Sequence, residues 1–152
     1  MPDCEVKPPG TLPIQFAVML KNRAGALSSL VRLLRSENID VIGLSVQDSR
    51  DAAVVRLVVS DPDNTMRIFM EKGIPHTTSE IAVIALNESG RGLARALDVL
   101  RAAETNLDFA YSLMPHPEGK SLMAMHLEDT QFGMSVLHKS GFRVFYEEDL
   151  CR

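Results

Sequence analysis

"KNRAGALSSLVRLLRSENIDV", residues 21–41, carries the chain from an apolar run directly into a helical pattern. The preceding run, 14–20, has strand length. Leu27, Leu30, Val31 and Leu34 then fall at i, i+3, i+4 and i+7, the spacing of an amphipathic helix. Asn38 tolerates the left-handed backbone found just past helix ends, and residues 39–46 read as the next strand. Gly25 at the helix start permits a tight turn or a close backbone approach. Two readings follow. The junction is a connection and nothing more, or it leaves first-turn N–H groups free for a small anion.

The residues downstream complete a fold class. Asp48-Ser49-Arg50-Asp51 reads as a polar hairpin tip, and 53–59 is a β-branched strand. In "SDPDNTMRIFMEKG" Asp61 is a capping residue, Pro62 suits the first helical position and Gly73 the terminator. Met66, Phe69 and Met70 are its expected apolar stripe. Residues 77–86 return as a strand. The order is β-α-β-β-α-β, the ferredoxin-like unit in which two helices cover one face of an antiparallel four-stranded sheet.

The pattern then repeats. A shift of 66 positions carries the four apolar helix positions onto Leu93, Ala96, Leu97 and Leu100, and Asp40 and Val41 onto Asn106 and Leu107. Strands are expected at 107–114 and 121–127, a helix at 128–140 ended by Gly141, and a last strand at 142–146. The chain is therefore read as α+β, two ferredoxin-like units in tandem. A Pro- and Gly-rich leader occupies 1–12, the first unit 13–80 and the second 81–152. The segment around 77–86 ends one unit and opens the next, so no true linker is expected.

Composition removes several function classes. The net charge of −4 and a pI near 5.5 argue against a nucleic-acid partner, which needs a positive field. No apolar run approaches the ~20 residues of a membrane-spanning helix. The start of the chain lacks an apolar signal region, and two cysteines, Cys4 and Cys151, suggest free thiols in a reducing cytoplasm.

Specific motifs fail as well. The strand–helix loops, 21–26 and 87–92, hold no Cys-x-x-Cys for a soft metal. The central strands "AAVVRLVVS" and "SLMAMHL" carry no aromatic platforms for stacked bases. "EIAVIALNESGRGLAR" puts Arg95 where a dinucleotide fingerprint needs its third glycine. His76, His116, His126 and His138 lack ligand spacing, so solvated or core histidines are the expectation. Glu147-Glu148-Asp149 reads as a solvated acidic end. No nucleophile–base pairing stands in a persuasive context, so no catalytic residue, metal or cofactor is expected.

Residues 16–46, with "NRAGALSSLVRLLRSENIDV", resemble the opening of an ACT domain. These are small amino-acid-sensing modules attached to, or acting on, enzymes of amino-acid metabolism such as aspartokinase. The family pattern is a strand, Asn-x-Pro-Gly-Val/Ala-Leu, a helix, and Gly-Ile/Val-Asn-Ile opening the second strand. This chain has Asn22-Arg23-Ala24-Gly25-Ala26-Leu27, with Ala24 where Pro is usual, and Asn38-Ile39-Asp40-Val41, with Asp40 at the usual Asn. The second copy is more divergent, with Glu88, Ser89, Gly90, Arg91, Gly92 and Leu93 at the loop and Asn106 at the strand.

The resemblance implies a stand-alone double-ACT protein without a catalytic domain. It implies side-by-side sheets and an amino acid held between paired modules by those loop and strand residues. Helix N–H groups near Gly25 would take the ligand carboxylate, and Asn22 and Asp40 its ammonium. The first loop would be the main site. A homodimer and an enzyme partner are further expectations, and the rival is a regulatory or structural subunit that pairs with a catalytic protein without ligand.

Overall fold

The computed structural model describes residues 10–21, 24–48, 51–86, 89–114, 119 and 121–150. Cys4, Asn22, Arg23, Ser49, Arg50, Glu88, His116 and Cys151 lie outside the described residues. The first unit runs β1 (Ile14–Lys21), α1 (Ala26–Ser36), β2 (Val41–Asp48), β3 (Ala52–Val59), α2 (Pro62–Glu71) and β4 (His76–Glu80). The second runs β5 (Ala82–Leu86), α3 (Ser89–Ala102), β6 (Leu107–Ser112), β7 (Ser121–Leu127), α4 (Thr130–Lys139), β8 (Val144–Phe145) and α5 (Glu147–Leu150). Their sheets have orders β2-β3-β1-β4 and β6-β7-β5-β8, antiparallel throughout. These are two ferredoxin-like units.

Strand alternation explains the layers. In β1 and β3 the residues Phe16, Val18, Val55, Leu57 and Val59 point to the helix side. There they bury Leu30 and Leu34 of α1 and Ile68 and Phe69 of α2. In the second unit Ala82, Ile84, Met125 and Leu127 do the same against Ala96, Leu100, Met134 and Leu137. The opposite faces are not left to solvent. Ile42 and Val58 of the first sheet share a third cluster with Val83, Ala85, Leu113, Leu122, Ala124 and Phe145 of the second. The open faces of the two sheets therefore meet, with helices outside.

Local sequence accounts for the helix ends. The Asp61 and Asp129 carboxylates accept from the N–H groups of Asn64 and Phe132 at 3.1 and 3.0 Å, capping α2 and α4. Gly73 and Gly141 follow those helices with φ of +66° and +94°, the left-handed turn that favours glycine.

Several elements differ from the sequence reading. Residues 77–86 are not one strand. Buried Ile81, whose N–H donates to the Pro13 carbonyl at 2.9 Å, breaks the run so that β4 and β5 serve different sheets. Met70 leaves the apolar stripe of α2, where Thr65, Ile68 and Phe69 are buried instead. Leu97 of α3 is also exposed. The last strand shortens to two residues, because Tyr146 N–H turns to the Asp149 carboxylate at 2.9 Å and starts α5. The acidic end is thus a helical turn with buried Leu150. It is tied to the leader by Glu147 N–H donating to the Thr11 carbonyl at 2.9 Å.

Candidate functional site

The junction after β1 is built on one residue. Gly25 has φ +87° and ψ −13° and stands at the N-cap of α1, with no side chain capping it. Its carbonyl accepts the Ser29 N–H at 2.9 Å, so the helix ladder begins there. The N–H groups of Ala26, Leu27 and Ser28 belong to the first turn, whose donors have no acceptor within the helix. Among the described residues a Cβ at Gly25 would meet nothing within 4 Å. Ala24 is exposed, while Ala26 and Leu27 are half-buried. Such a helix start can receive a carboxylate-sized anion.

Asp40 stands elsewhere. Its N–H donates to Ser60 Oγ and its carbonyl accepts the Ser60 N–H, both at 2.9 Å. This fixes the exposed carboxylate just before half-buried Val41. Both β1 and β2 run antiparallel to β3, so β2 begins at the end of the sheet opposite to the start of α1. The 11 residues of α1 span about 16 Å. Within one unit, Gly25 and Asp40 are not brought together.

The second copy departs further. Under the 66-position shift α3 begins three residues earlier than α1, so Ser89, Gly90, Arg91, Gly92 and Leu93 form a first helical turn and not a loop. Arg91 is exposed, and Gly92 lies over Leu86, whose Cβ would be 3.6 Å from an added methyl. Asn106 keeps the main-chain arrangement of Asp40, its carbonyl accepting the Glu128 N–H at 3.0 Å. Its side-chain amide also donates to Glu128 Oε2 at 3.0 Å.

The units meet along β2 and β6. Gly43 and Leu113 form an isolated antiparallel bridge, and Met114 N–H donates to the Ile42 carbonyl at 2.7 Å. A Cβ at Gly43 would overlap the end of the Leu113 side chain, so a larger residue there would force Leu113 to move. Among the described residues the expected side-by-side sheet is thus reduced to one pinned point. Both β2 and β6 carry a bulge near their start, between Val41 and Gly43 and between Leu107 and Phe109. Bulges bend a strand and increase its twist. Farther along, the contact passes to side chains. Arg56 lies over the Phe109 ring at 4.0 Å, and the Tyr111 hydroxyl donates to Gln15 Oε1 at 2.6 Å. Burial pushes the Tyr111 hydroxyl well above its ordinary range, so it remains a donor.

The antiparallel seam decides which ends meet. β5 and β6 both run against β7, so β6 ends where α3 begins. The Gly43–Leu113 bridge therefore joins the Asp40 end of the first unit to the α3-start end of the second. The other end sets the Gly25 side against the Asn106 side. Sequence reasoning missed Gln15, Arg56, Phe109 and Tyr111. The only signal was the alternation of Phe109 and Tyr111 in "LDFAYS", which puts both rings on one face.

Two cavities lie apart from these residues. One of about 220 Å³ is lined by Leu12, Met134, Ser135, His138 and Tyr146, and one of about 560 Å³ by His138, Phe142, Arg143, Tyr146 and Asp149. Among the described residues no group of three or more His, Cys, Asp or Glu could hold a metal ion, and no helix is long and apolar enough to cross a membrane.

A family model for an ACT domain pair matches residues 12–152. The chain belongs to the ACT domain pair family. Among solved structures, protein BT0572 from Bacteroides thetaiotaomicron is similar with a TM-score of 0.83 and 22% identity, over 94% of this chain and 98% of that one. The regulatory subunit of aspartate kinase from Thermus thermophilus, in its ligand-free form, gives 0.59 and 11%, over 88% and 95%. The aspartokinase alpha and beta subunits give 0.57 and 15%, over 84% and 90%. No curated protein matches.

Proposed function

We propose that this ACT domain pair is a non-enzymatic regulatory protein that binds an amino acid at the β2–β6 seam and passes its presence to an enzyme of amino-acid metabolism. The observation that carries the reading is the antiparallel seam, which sets a helix start of one unit against the second-strand start of the other. A zwitterion needs an anion-binding and a cation-binding group in reach, and within the first unit the Gly25 turn and Asp40 lie at opposite ends of the sheet. At one end the α3 turn with Arg91 stands on the side of the Asp40 carboxylate. At the other the Gly25 turn stands on the side of Asn106. The regulatory subunits of aspartate kinase among the similar structures support a small-molecule-responsive role and an enzyme partner.

The protein works in the cytoplasm as a homodimer in this reading. Its output is allosteric, because a ligand shifts an equilibrium by the difference in its affinity for two states. A thermal-shift screen across the amino acids tests it. A ligand at 100 times its Kd stabilises by about 2.7 kcal/mol, which a melting curve resolves. If no amino acid moves the midpoint, the protein is a ligand-independent subunit, and the search turns to its catalytic partner. Light scattering reads the dimer separately.

A further inference from the structure

The two ends of the seam are held by different means. Under the 66-position shift Gly43 corresponds to Phe109 and Leu113 to Gln47. A fully symmetric seam would therefore carry a second bridge between Gln47 and Phe109. Arg56 lies there instead, its Nη1 donating to Gln47 Oε1 at 2.9 Å and its guanidinium 4.0 Å over the Phe109 ring. The position equivalent to Arg56, opposite Val83 and Tyr111 in β7, is Ala124. One copy supplies the long cation and the other a methyl group, so the insertion happens once.

The surroundings hold the receiving ring in place. His126 stacks on Phe109 at 4.8 Å and 12°, and His126 Nδ1 stands 2.8 Å from Asp108 Oδ2. At the opposite end Met114 N–H bonds the Ile42 carbonyl beside buried Ile42 and Leu113, and Leu113 N–H is tied to the Leu122 carbonyl at 3.0 Å. Side chains that meet solvent exchange partners more readily than main-chain bonds anchored on buried residues.

We propose that the seam is a hinge, pinned at Gly43–Leu113 and closed at its far end by an Arg56 latch on Gln47 and Phe109. Releasing the latch swings the second unit about the pinned end and widens the gap on the Gly25–Asn106 side. The latch does not depend on the ligand reading, since it is tested without ligand. If that reading holds, occupancy of the latch end is what sets the angle between the units.

Spin-label distances on the full chain, with Cys4 and Cys151 replaced by Ser, test the hinge. One label pair, Ser28→Cys with Ala102→Cys, spans the latch end. The other, Ser36→Cys with Ala94→Cys, spans the pinned end. All four positions are exposed on α1 or α3. Arg56→Gln is expected to lengthen and broaden the first distribution and leave the second unchanged. Arg56→Lys, which keeps the charge without the planar stack, should fall between. Phe109→Leu should reproduce Arg56→Gln, and it carries the test if Arg56→Gln fails to fold. No change at either end overturns the proposal, and so does an equal change at both ends, which means that the units simply separate.

Discussion

Removing the Tyr111 hydroxyl isolates what holds the two sheets face to face. In Tyr111→Phe the ring stays, so the shared apolar cluster changes little, but the 2.6 Å hydrogen bond to Gln15 is lost. Gln15 is 2% exposed, so water does not replace the donor. Leaving a buried acceptor without its partner costs about 1–3 kcal/mol. For a protein of this size each kcal/mol moves the melting midpoint by about 2–4 °C, so calorimetry should show a fall on the order of 2–12 °C. Gln15→Leu alone strands the hydroxyl and should cost a similar amount. The double variant Gln15→Leu, Tyr111→Phe replaces both partners with apolar groups and should recover much of the loss. A Tyr111→Phe protein as stable as its parent, or a double variant whose losses simply add, would show that the bond contributes nothing across the interface.

Gly25→Ala should lower stability by about 1–2 kcal/mol, read by urea unfolding, because an L-residue resists φ +87° while its methyl meets nothing among the described residues. Burial, followed by the nearby charges of Asp63 and Glu148, holds the Glu147 carboxyl above its ordinary 4.5. The folded state then keeps that proton more tightly than the unfolded chain, so stability falls as pH rises from 4.5 through the raised value. Glu147→Gln should accordingly be more stable than the parent at pH 7, with the advantage gone below pH 4.5; equal midpoints at both pH values would contradict this. Under the proposed amino-acid binding, Asp40→Asn and Arg91→Gln, placed toward the same seam end, should weaken the same calorimetric binding event, about tenfold each for a lost charge-assisted bond of ~1.5 kcal/mol. A loss from Asp40→Asn with no loss from Arg91→Gln would separate them.

The fold was legible because local signals agreed with one another. The repeated apolar spacing in α1 and α3, Asp61 before Pro62, and Gly73 and Gly141 after their helices each fixed an element without tertiary information. The elements that resisted were those set by contacts distant in sequence. Ile81 reads as one more strand residue until its N–H is seen to bond Pro13, and Glu147–Leu150 reads as a tail until Thr11 is seen to hold it. The candidate site suffered from the same limit. Gly25 and Asp40 share a motif and lie 15 positions apart, yet the helix between them sends them to opposite ends. Only the relation between units decides their neighbours, and sequence spacing within one unit carries no record of it.

Divergence between the copies follows from that relation. A pair of identical units meeting along β2 and β6 would offer the same surroundings at both ends of the seam. Here the first copy keeps an open Gly25 turn and a free-standing Asp40, while the second starts its helix early and spends its Asn106 amide on Glu128. Each end of the seam draws its helix start from one copy and its strand start from the other. Changes in either copy therefore alter both ends at once, in opposite roles. One end combines an exposed anion with the Arg91 turn, and the other an uncapped glycine turn with an amide already engaged. With Arg56 inserted at the second end and a main-chain bridge at the first, the chain has become a pair with two unlike ends, one suited to fixing the units and one to moving them.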